Sequence, residues 1–280
     1  MSSGPITQII RFLSPGDDRV HIGEPIPNST EASLLSGDVY QPASLTRTDQ
    51  RVRIATYLPP VHPLSIQCIG LNYRDHAEET KMAIPNYPVL FYKNLSSAAG
   101  HLSAVRIPKV VQAVPETDYE AELVVVIGRQ CRDVSVADAL QYVLGYAPGN
   151  DISARDQQTN KEKSGTQWNR GKGFDTFAPF GPALTLASAV ADPQQLDISL
   201  KLNGETLQQS NTKQMIFSVA QIVSYLSEDT TLLPGTVIFT GTPPGVGFMR
   251  KPAVWLKEGD VCEVTIQGLG TLSNTIENAK

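Results

Sequence analysis

Three carboxylates in the middle of the chain have the residue types and spacing of a divalent-cation site. Glu120 and Glu122 begin the apolar run YEAELVVVI (119–127), where a period of two places both side chains on one face of a strand. Two carboxylates this close raise each other's pKa unless a cation lies between them. Asp151 follows a second apolar segment at 144–150. Three oxygen ligands suit Mg²⁺, Mn²⁺ or Ca²⁺ better than Zn²⁺, although a solvated strand edge would also explain the pattern.

A histidine and a glutamate upstream could carry out proton transfer. His76 and Glu79, in the segment NYRDHAEE (72–79), are three residues apart and share one face of a helical turn. Histidine is the commonest general base, and a carboxylate partner fixes its tautomer and raises its basicity. The alternative is a helix start with ordinary surface charge. The remaining histidines have no such partner and are interpreted as structural: His21, His62 and His101.

A polar, glycine-rich stretch at 153–177 supplies two cations of the kind such a site needs. Its Arg155 could hold a substrate carboxylate through the guanidinium fork, and its Lys172 could stabilise an enolate or oxyanion as a point charge. A second glycine-rich turn, GTPPGVG (241–247), lacks the Gly-Lys-Ser/Thr ending of a phosphate loop. The sequence contains no GxSxG or HExxH motif, which argues against the serine-hydrolase and zincin classes.

These residues must be positioned by strands in series, with few helices between them. The patterning predicts strands at 6–13, 20–23, 66–70, 88–92, 119–127, 144–150, 196–202, 237–240 and 261–266, and helices at 29–35, 75–82, 136–143 and 218–227. Pro59, Pro60 and Pro63 then mark a boundary, because proline continues neither a helix nor a central strand. We therefore predict an α+β protein with a small N-terminal domain at 1–61 and a catalytic domain at 62–280.

Composition and charge exclude several classes of protein. The 280 residues carry 23 Lys and Arg against 28 Asp and Glu, a net charge of -5, whereas binding to nucleic acid or to an acidic membrane surface requires clustered cations. No stretch of ~18 apolar residues predicts a membrane span, and MSSGPITQIIRFL lacks the features of a signal peptide. Three widely spaced cysteines without a CxxC pair indicate a reducing compartment. We expect no nucleic-acid or membrane partner and a cytoplasmic location, with a mitochondrial one as the alternative.

Taken together, several long motifs resemble the fumarylacetoacetate hydrolase family. They occur in the family's order and cover residues 62–280. The segments are CIGLNYRDHAEE (68–79), PVLFYK (88–93), DYEAELVVVIG (118–128), GYAPGNDISARDQQ (145–158), QWNRGKGFDTFAPFGP (167–182), LNGE (202–205), MIF (215–217), LLPGTVIFTGTPPGVG (232–247) and LKEGDVCEV (256–264). One departure is that Asn94 and Leu95 follow Lys93 where many relatives have a proline, which bears on substrate shape and not on the metal site.

The resemblance implies a mixed β-sandwich roll of the fumarylacetoacetate hydrolase type, with a small N-terminal domain and a homodimeric assembly. It also assigns nine residues to the site, in three groups. The implied metal ligands are Glu120, Glu122 and Asp151, with Mg²⁺ as the cofactor, or Mn²⁺ or Ca²⁺ in its place. The implied catalytic residues are His76 and Glu79, as a dyad on a lid, and Lys172. The implied substrate-binding residues are Arg155, Gln158 and Thr242.

The activity implied in this way is divalent-metal-dependent hydrolysis of a carbon–carbon bond in a 1,3-diketo acid of the acylpyruvate type, through a metal-bound enolate. The partner is then a small keto acid. An oxaloacetate decarboxylase or a keto–enol tautomerase or isomerase would use the same site, because it needs enolate stabilisation but no attacking water. Two further alternatives are a secondary-metabolism enzyme acting on a larger diketo acid and a metal-stabilised protein without chemistry.

Overall fold

The computed structural model describes residues 4–280, which fold mainly into β-strands. In chain order the strands are β1 (Gln8–Ser14), β2 (Asp17–Pro25), β3 (Glu31–Ser36), β4 (Thr46–Arg53), β5 (Thr56–Leu58), β6 (Ser65–Gly70), β7 (Val89–Lys93), β8 (Ala98–Ala99), β9 (Val105–Ile107), β10 (Thr117–Asp118), β11 (Ala121–Ile127), β12 (Val143–Asn150), β13 (Ser153–Ala154), β14 (Ala178–Pro179), β15 (Leu184–Leu186), β16 (Asp197–Leu202), β17 (Glu205–Asn211), β18 (Thr236–Phe239), β19 (Val261–Ile266) and β20 (Gly270–Asn278). The α-helices are α1 (Arg74–Thr80), α2 (Lys109–Gln112), α3 (Arg155–Thr159), α4 (Lys161–Ser164), α5 (Asn169–Lys172) and α6 (Val219–Ser227). Short 3₁₀ turns lie at Pro42–Ser44, Leu95–Ser97, Ala139–Tyr142, Ala187–Ala189, Thr212–Gln214 and Gly247–Met249.

A large mixed sheet carries the candidate metal ligands near its centre. Its strand order is β4-β3-β2-β1-β15-β12-β11-β18-β6-β7, with β5 paired to β1. Strands β18 and β6 run parallel, whereas β11 pairs antiparallel with both of its neighbours. In the β11–β12 pair, Ala121 lies opposite Asn150. The residues just outside this pair, Glu120 and Asp151, are therefore brought together at one end of the two strands.

Strand β11 is buried on both faces, as its continuous apolar run indicates. Leu123 and Val125 pack into one hydrophobic core, whereas Val124 and Val126 pack into a second core on the opposite face. The alternation of side chains along a strand places Glu122 on the same face as Val124. The candidate site therefore lies at the edge of the second core.

A second sheet and one helix pack on the first core. The second sheet has the order β17-β16-β19-β20-β9, and its Leu200 and Val264 share a core with Leu123 of β11. Helix α6 adds Ile222 to this core. Its N-cap is Ser218, whose side chain forms a reciprocal capping box with Gln221. Two packed layers of this kind confirm the mixed, sandwich-like α+β fold that the sequence predicts.

The N-terminal strands extend the large sheet. Strand β1 pairs with β15 through Gln8 opposite Thr185 and Ile9 opposite Leu184. The strands predicted at 6–13 and 20–23 are present as β1 and β2, which pair antiparallel. Phe12 of β1 is buried in a small separate core. The division into domains at 1–61 and 62–280 stays a prediction.

Two of the helix predictions are wrong. Residues 29–35 form most of β3 instead, because pairing with β2 buries Ala32 against Phe12, a tertiary contact that overrides local preference. Residues 136–143 form only the 3₁₀ turn Ala139–Tyr142, because the chain then enters β12 beside β11. The long polar stretch is partly helical, since it contains α3, α4 and α5.

Within residues 4–280, no helix combines the length and the apolar character needed to cross a membrane. Each of the three cysteines is buried and outside any disulfide: Cys68, Cys131 and Cys262.

Candidate active site

The three carboxylates expected to bind a cation converge at one end of the β11–β12 pair. Glu120 precedes β11, Glu122 lies within it and Asp151 follows β12. Each offers a ligand oxygen, and these oxygens all lie within 4.8 Å of one another. The three side chains are buried. A buried cluster of carboxylates is costly without positive charge nearby, so the surroundings must supply it.

The donor atoms of this triad fit a hard divalent cation. Oδ1 of Asp151 is buried and, among the described residues, receives no well-directed hydrogen bond, although Lys93 Nζ lies 2.5 Å away. Glu122 accepts a hydrogen bond from the Gly241 amide at 2.7 Å but has no cationic partner in residues 4–280. Burial, followed by the charges of Asp151 and Glu120, raises the pKa of Glu122 well above its ordinary value. A bound cation would reverse this effect and favour the ionised carboxylate.

Lys172 joins two members of the triad. It ends helix α5, and its Nζ donates to Glu120 Oε2 and to Asp151 Oδ2, both at 2.7 Å. Burial alone would lower the pKa of Lys172, but the two carboxylates outweigh it and raise the pKa. The buried ammonium is therefore held in its charged form beside the triad.

Lys93 approaches the triad from the edge strand β7. Its side chain is buried, and Nζ lies 2.5 Å from Asp151 Oδ1. The same nitrogen donates to three main-chain carbonyls: Ile152 at 3.0 Å, Lys172 at 2.5 Å and Phe177 at 2.8 Å. Burial lowers the pKa of Lys93, and the charge of Asp151 opposes this shift. Lys93 thus links strand β7 to the segment after β12, to the end of α5 and to the segment before β14.

Arg155, the first residue of α3, links the triad to Gln158. Its Nη2 donates to Glu120 Oε1 at 2.7 Å and its Nη1 to Gln158 Oε1 at 2.9 Å. Its Nε and Nη2 also donate to Asp118 Oδ2 at 2.8 and 2.7 Å. Burial works against ionisation of Glu120, but Lys172 and Arg155 outweigh it and lower the pKa of Glu120 to about 2. Glu120 is therefore ionised at neutral pH even without a metal.

The histidine–glutamate pair is formed on helix α1. Glu79 Oε2 lies 2.9 Å from His76 Nδ1, and Glu79 Oε1 accepts a hydrogen bond from the Gly245 amide at 3.0 Å. Because an ionised carboxylate can only accept, Nδ1 carries the proton in this pair and Nε2 keeps its lone pair. His76 is thereby arranged to accept a proton at Nε2.

The glycine-rich turn at 241–247 closes the site on another side. Thr242 is buried, and its hydroxyl oxygen accepts from Gln208 Nε2 at 2.8 Å, which leaves the hydroxyl proton free to meet a ligand. Gln208 Oε1 in turn accepts from the Ala121 amide at the start of β11. Gly241 has φ +99°, and a Cβ there would lie 2.6 Å from the Cβ of Asn72, so the turn needs glycine at this position.

These elements surround one cavity of about 500 Å³. Eight of the nine residues assigned to the site line it: His76, Glu120, Glu122, Asp151, Arg155, Gln158, Lys172 and Thr242. Glu79 does not line the cavity but contacts His76, which does. The arrangement can bind a metal, hold a carboxylate and transfer a proton within one enclosed space.

A sequence model described as the C-terminal domain of fumarylacetoacetate (FAA) hydrolase matches residues 65–277. The chain belongs to the fumarylacetoacetate hydrolase family. Its family relatives carry the names of several related activities. An oxaloacetate tautomerase of Xenopus laevis, named as mitochondrial, is 44% identical over 226 residues, which cover 81% of this chain and 69% of the relative. A 2,4-didehydro-3-deoxy-L-rhamnonate hydrolase of a Sphingomonas species is 47% identical over 248 residues, or 88% and 84% of the two chains.

A solved structure of the family shares the fold. Fumarylpyruvate hydrolase from Pseudomonas aeruginosa, in complex with Mn²⁺ and pyruvate, superimposes with a TM-score of 0.69 at 35% identity. The superposition covers 83% of this chain and 93% of that one. The sheet-rich α+β architecture described above is therefore that of the fumarylacetoacetate hydrolase family.

Three residues of this family member contribute to the site without having been identified from sequence: Lys93, Asp118 and Gln208. Lys93 and Asp118 lie inside the motif segments PVLFYK and DYEAELVVVIG. A charged residue within or beside an apolar strand is rarely buried without a partner, and this pattern could have indicated that both residues belong to the site. Gln208 lies outside these motifs, and its hydrogen bonds depend on a strand pairing that the sequence does not specify.

Asp118 fixes both Arg155 and the glycine-rich turn. It is fully buried, and its Oδ1 accepts from the Gly247 amide at 2.7 Å. Its Oδ2 accepts from the Phe248 amide at 3.1 Å and from the Arg155 guanidinium. One carboxylate therefore sets the position of Arg155 relative to the turn that carries Thr242.

Replacing Asp118 with asparagine is expected to lower the free energy of unfolding by about 3 kcal/mol, because it breaks a buried, hydrogen-bonded ion pair and leaves Arg155 partly uncompensated. It should also raise the KM for a keto acid more than it lowers kcat. Urea denaturation and steady-state kinetics measure the two effects. The control is Asp17→Asn, which breaks the exposed ion pair with Arg19 and should change the free energy of unfolding little. Equal effects of the two substitutions would contradict a positioning role for Asp118.

Proposed function

We propose that this enzyme hydrolyses a carbon–carbon bond of an acylpyruvate-type 1,3-diketo acid with the help of a divalent cation. The observation that carries the proposal is the single cavity that contains the carboxylate triad, the His76 imidazole and the two cations Arg155 and Lys172. Such a constellation combines metal binding, carboxylate binding and general-base catalysis within reach of one small substrate.

Glu120, Glu122 and Asp151 would hold the cation, for which we propose Mg²⁺ or Mn²⁺, with Ca²⁺ as the alternative. When bound, the cation supplies Lewis-acid polarisation of the α-keto acid oxygens. The family structure that contains both Mn²⁺ and pyruvate supports this assignment. The buried position of all three carboxylates supports it as well, since a dication offsets their charge.

The residues of the chain account for the remaining steps. Arg155, Gln158 and Thr242 would bind and orient the substrate carboxylate. His76 would take a proton from water at Nε2 while Glu79 holds the Nδ1 proton, and the water oxygen would form a bond to the distal carbonyl carbon. The bond between that carbon and the adjacent methylene then breaks, leaving its electron pair on the pyruvate enolate.

Lys172 and His76 would complete the reaction. The Lys172 ammonium would stabilise the enolate oxygen by charge and hydrogen bonding. The imidazolium of His76 would return its proton to the enolate carbon, so that one water and one acylpyruvate give pyruvate and a carboxylic acid. This return of the proton restores the neutral imidazole for the next turnover.

Thorough removal of metal tests the proposal. We expect the purified enzyme to hydrolyse acetylpyruvate, to lose this activity when dialysed against EDTA, and to regain it with Mg²⁺ or Mn²⁺. Loss of the enol absorbance follows the reaction. Dialysis against buffer alone is the control, and full activity after complete metal removal would overturn the proposal.

The second candidate function is keto–enol tautomerisation or decarboxylation of oxaloacetate. The 44% identity to a protein named oxaloacetate tautomerase favours it. It would use the same metal and enolate stabilisation, but His76 would move a carbon-bound proton instead of activating water. Measuring oxaloacetate beside acetylpyruvate separates the two candidates, since a tautomerase converts oxaloacetate without releasing pyruvate from acetylpyruvate.

We further propose that the enzyme works as a homodimer in the cytoplasm. Support for self-association comes from edge strand β7, where Val89, Leu90 and Tyr92 are partly exposed apolar side chains. The three cysteines outside any disulfide fit a reducing compartment. A mitochondrial location is the alternative, since several relatives are named as mitochondrial.

A further inference from the structure

The cavity continues past the triad into a wall of aromatic rings. The Phe91 ring centroid lies 5.3 Å from Lys172 Nζ, and Trp168 packs edge-on against Phe91 with ring centroids 5.4 Å apart. On the other side, the Phe248 ring lies 4.4 Å from the Arg155 guanidinium carbon. All three rings line the cavity. A ligand bound at the carboxylate triad would therefore also contact the aromatic rings that line the same cavity.

Gly70 makes room for the Trp168 indole in this wall. A Cβ at position 70 would lie 2.3 Å from Cζ3 of Trp168, well inside any permitted contact. The indole therefore packs directly on the backbone at the end of β6. Leu71 follows with φ +43°, a left-handed conformation that is uncommon for a branched residue, and it also lines the cavity. The chain thus holds an unfavourable backbone geometry where it forms the apolar wall.

The charges that line the cavity leave no cation for a second carboxylate on the substrate. Apart from His76, which the proposed reaction uses as the base, the cationic residues among the described lining are Arg155 and Lys172. Lys172 already contacts Glu120 and Asp151, and Arg155 already contacts Glu120 and Asp118. Four carboxylates also line the cavity: Glu116, Glu120, Glu122 and Asp151. When all four are ionised, a divalent metal together with Arg155 and Lys172 brings the net charge of these groups to zero. The carboxylate of an α-keto acid can bind between Arg155 and the metal. A second carboxylate at the distal end of the substrate would lie against aromatic rings, where its desolvation cost is high.

We propose that the cavity selects acylpyruvates whose distal acyl group is uncharged and apolar, such as an aromatic or branched alkyl group, and disfavours those that end in a second carboxylate. This inference rests on the proposed function and specifies its substrate class. It assigns Trp168 as a specificity-determining residue and Gly70 as the residue that seats it.

Binding of 2-oxo acids without the second carbonyl tests the selection independently of catalysis. Calorimetry of the Mn²⁺-loaded enzyme would compare 2-oxoglutarate with 5-methyl-2-oxohexanoate, which replaces the distal carboxylate by an isopropyl group of similar shape, and with 2-oxo-4-phenylbutanoate. We expect both apolar ligands to bind about tenfold or more tightly than 2-oxoglutarate, because apolar burial is favourable and an unpaired carboxylate is not. Equal or tighter binding of 2-oxoglutarate overturns the inference.

Two substitutions test the residues that form the wall. Trp168→Ala removes the indole, and Gly70→Ala displaces it. Each should lower the affinity ratio of 2-oxo-4-phenylbutanoate to 2-oxoglutarate by about tenfold. Tyr87→Ala is the control, because Tyr87 is an exposed aromatic residue outside the cavity lining. It should leave the ratio unchanged. A ratio that stays at the wild-type value in both Trp168→Ala and Gly70→Ala contradicts the assignment, and Mn²⁺ binding by each variant reports that the triad is intact.

Turnover separates failure of this inference from failure of the proposed function. Acetylpyruvate, benzoylpyruvate and fumarylpyruvate would be compared by kcat/KM, with benzoylpyruvate expected to exceed fumarylpyruvate by about tenfold. Hydrolysis that favours fumarylpyruvate overturns the inference and leaves the proposed function standing. Apolar preference in binding without hydrolysis of any acylpyruvate supports the inference and removes the proposed function.

Discussion

Replacing Glu122 with glutamine is expected to lower the affinity for Mn²⁺ by about 100-fold or more and to remove C–C bond hydrolysis at ordinary metal concentrations. Even residues that only support a metal ligand cost about 10–100-fold in affinity when removed, so loss of a charged ligand should cost at least the upper value. Calorimetric titration of Mn²⁺ into metal-free protein measures the affinity, and acetylpyruvate hydrolysis measures the activity.

The fold of the Glu122→Gln variant should be retained. Glu122 has no cationic partner in the described residues, and the amide oxygen of glutamine can still accept from Gly241. Glutamine also resembles the protonated acid that the raised pKa of Glu122 favours in the absence of metal. The control is Glu116→Gln, a cavity carboxylate outside the triad, which should keep its Mn²⁺ affinity within about threefold. Wild-type Mn²⁺ affinity in Glu122→Gln would show that the triad is not the metal site.

The same residue gives the metal-free enzyme a defined pH dependence. A carboxyl whose folded-state pKa is raised keeps a proton that the unfolded chain releases, so the folded state loses stability as pH rises above the ordinary pKa of Glu122. In EDTA the free energy of unfolding should therefore fall between about pH 5 and about pH 8 by more in the wild type than in Glu122→Gln.

Replacing His76 with alanine is expected to lower kcat for acetylpyruvate by about 10²–10⁴-fold, the range of a lost general base, with little change in KM. The substitution leaves the triad, Arg155 and Lys172 in place, so substrate and metal binding should persist. The control is His62→Ala at an exposed position, which should keep the wild-type kcat. A His76→Ala variant with kcat within a few-fold of wild type would require another base.

Glu79→Gln distinguishes the partner from the base. The amide oxygen of glutamine can still accept from Nδ1–H, so the loss in kcat should be smaller than for His76→Ala, at about 10–100-fold. Assaying oxaloacetate with the same variants then tests whether one base serves both activities. Parallel losses on the two substrates indicate a shared base, whereas loss on acetylpyruvate alone indicates that His76 acts on water.

Local sequence patterns were sufficient to predict several strands and helices. Strand β11 (Ala121–Ile127) lies inside the predicted run 119–127, and its two faces enter two different cores as alternation requires. Helix α6 (Val219–Ser227) lies within the predicted range 218–227 and is capped by Ser218, because its capping box is encoded by neighbouring residues. In both cases the deciding interactions lie within a few residues of one another or follow a strict period.

Local sequence patterns did not predict the structure correctly where a segment pairs or packs with residues that are distant in sequence. Residues 29–35 satisfy a helical pattern, yet they form β3 because Ala32 packs in the core beneath β1 and β2. Residues 136–143 form only the 3₁₀ turn Ala139–Tyr142, because the chain enters β12 at Val143. Burial in a sheet outweighs a helix preference of a few tenths of a kcal/mol per residue.

By itself, the sequence determined the family and the α+β class and predicted nine site residues, because residue type and order within the motifs carry that information. Only the tertiary structure placed eight of these residues around one cavity and put Glu79 in contact with His76. It also decided that Asp118 and Lys93 support the site, and that Phe91 and Trp168 form its apolar wall. These contacts join strands and helices that are distant along the chain, and their distances follow from sheet register and packing, which no local pattern specifies.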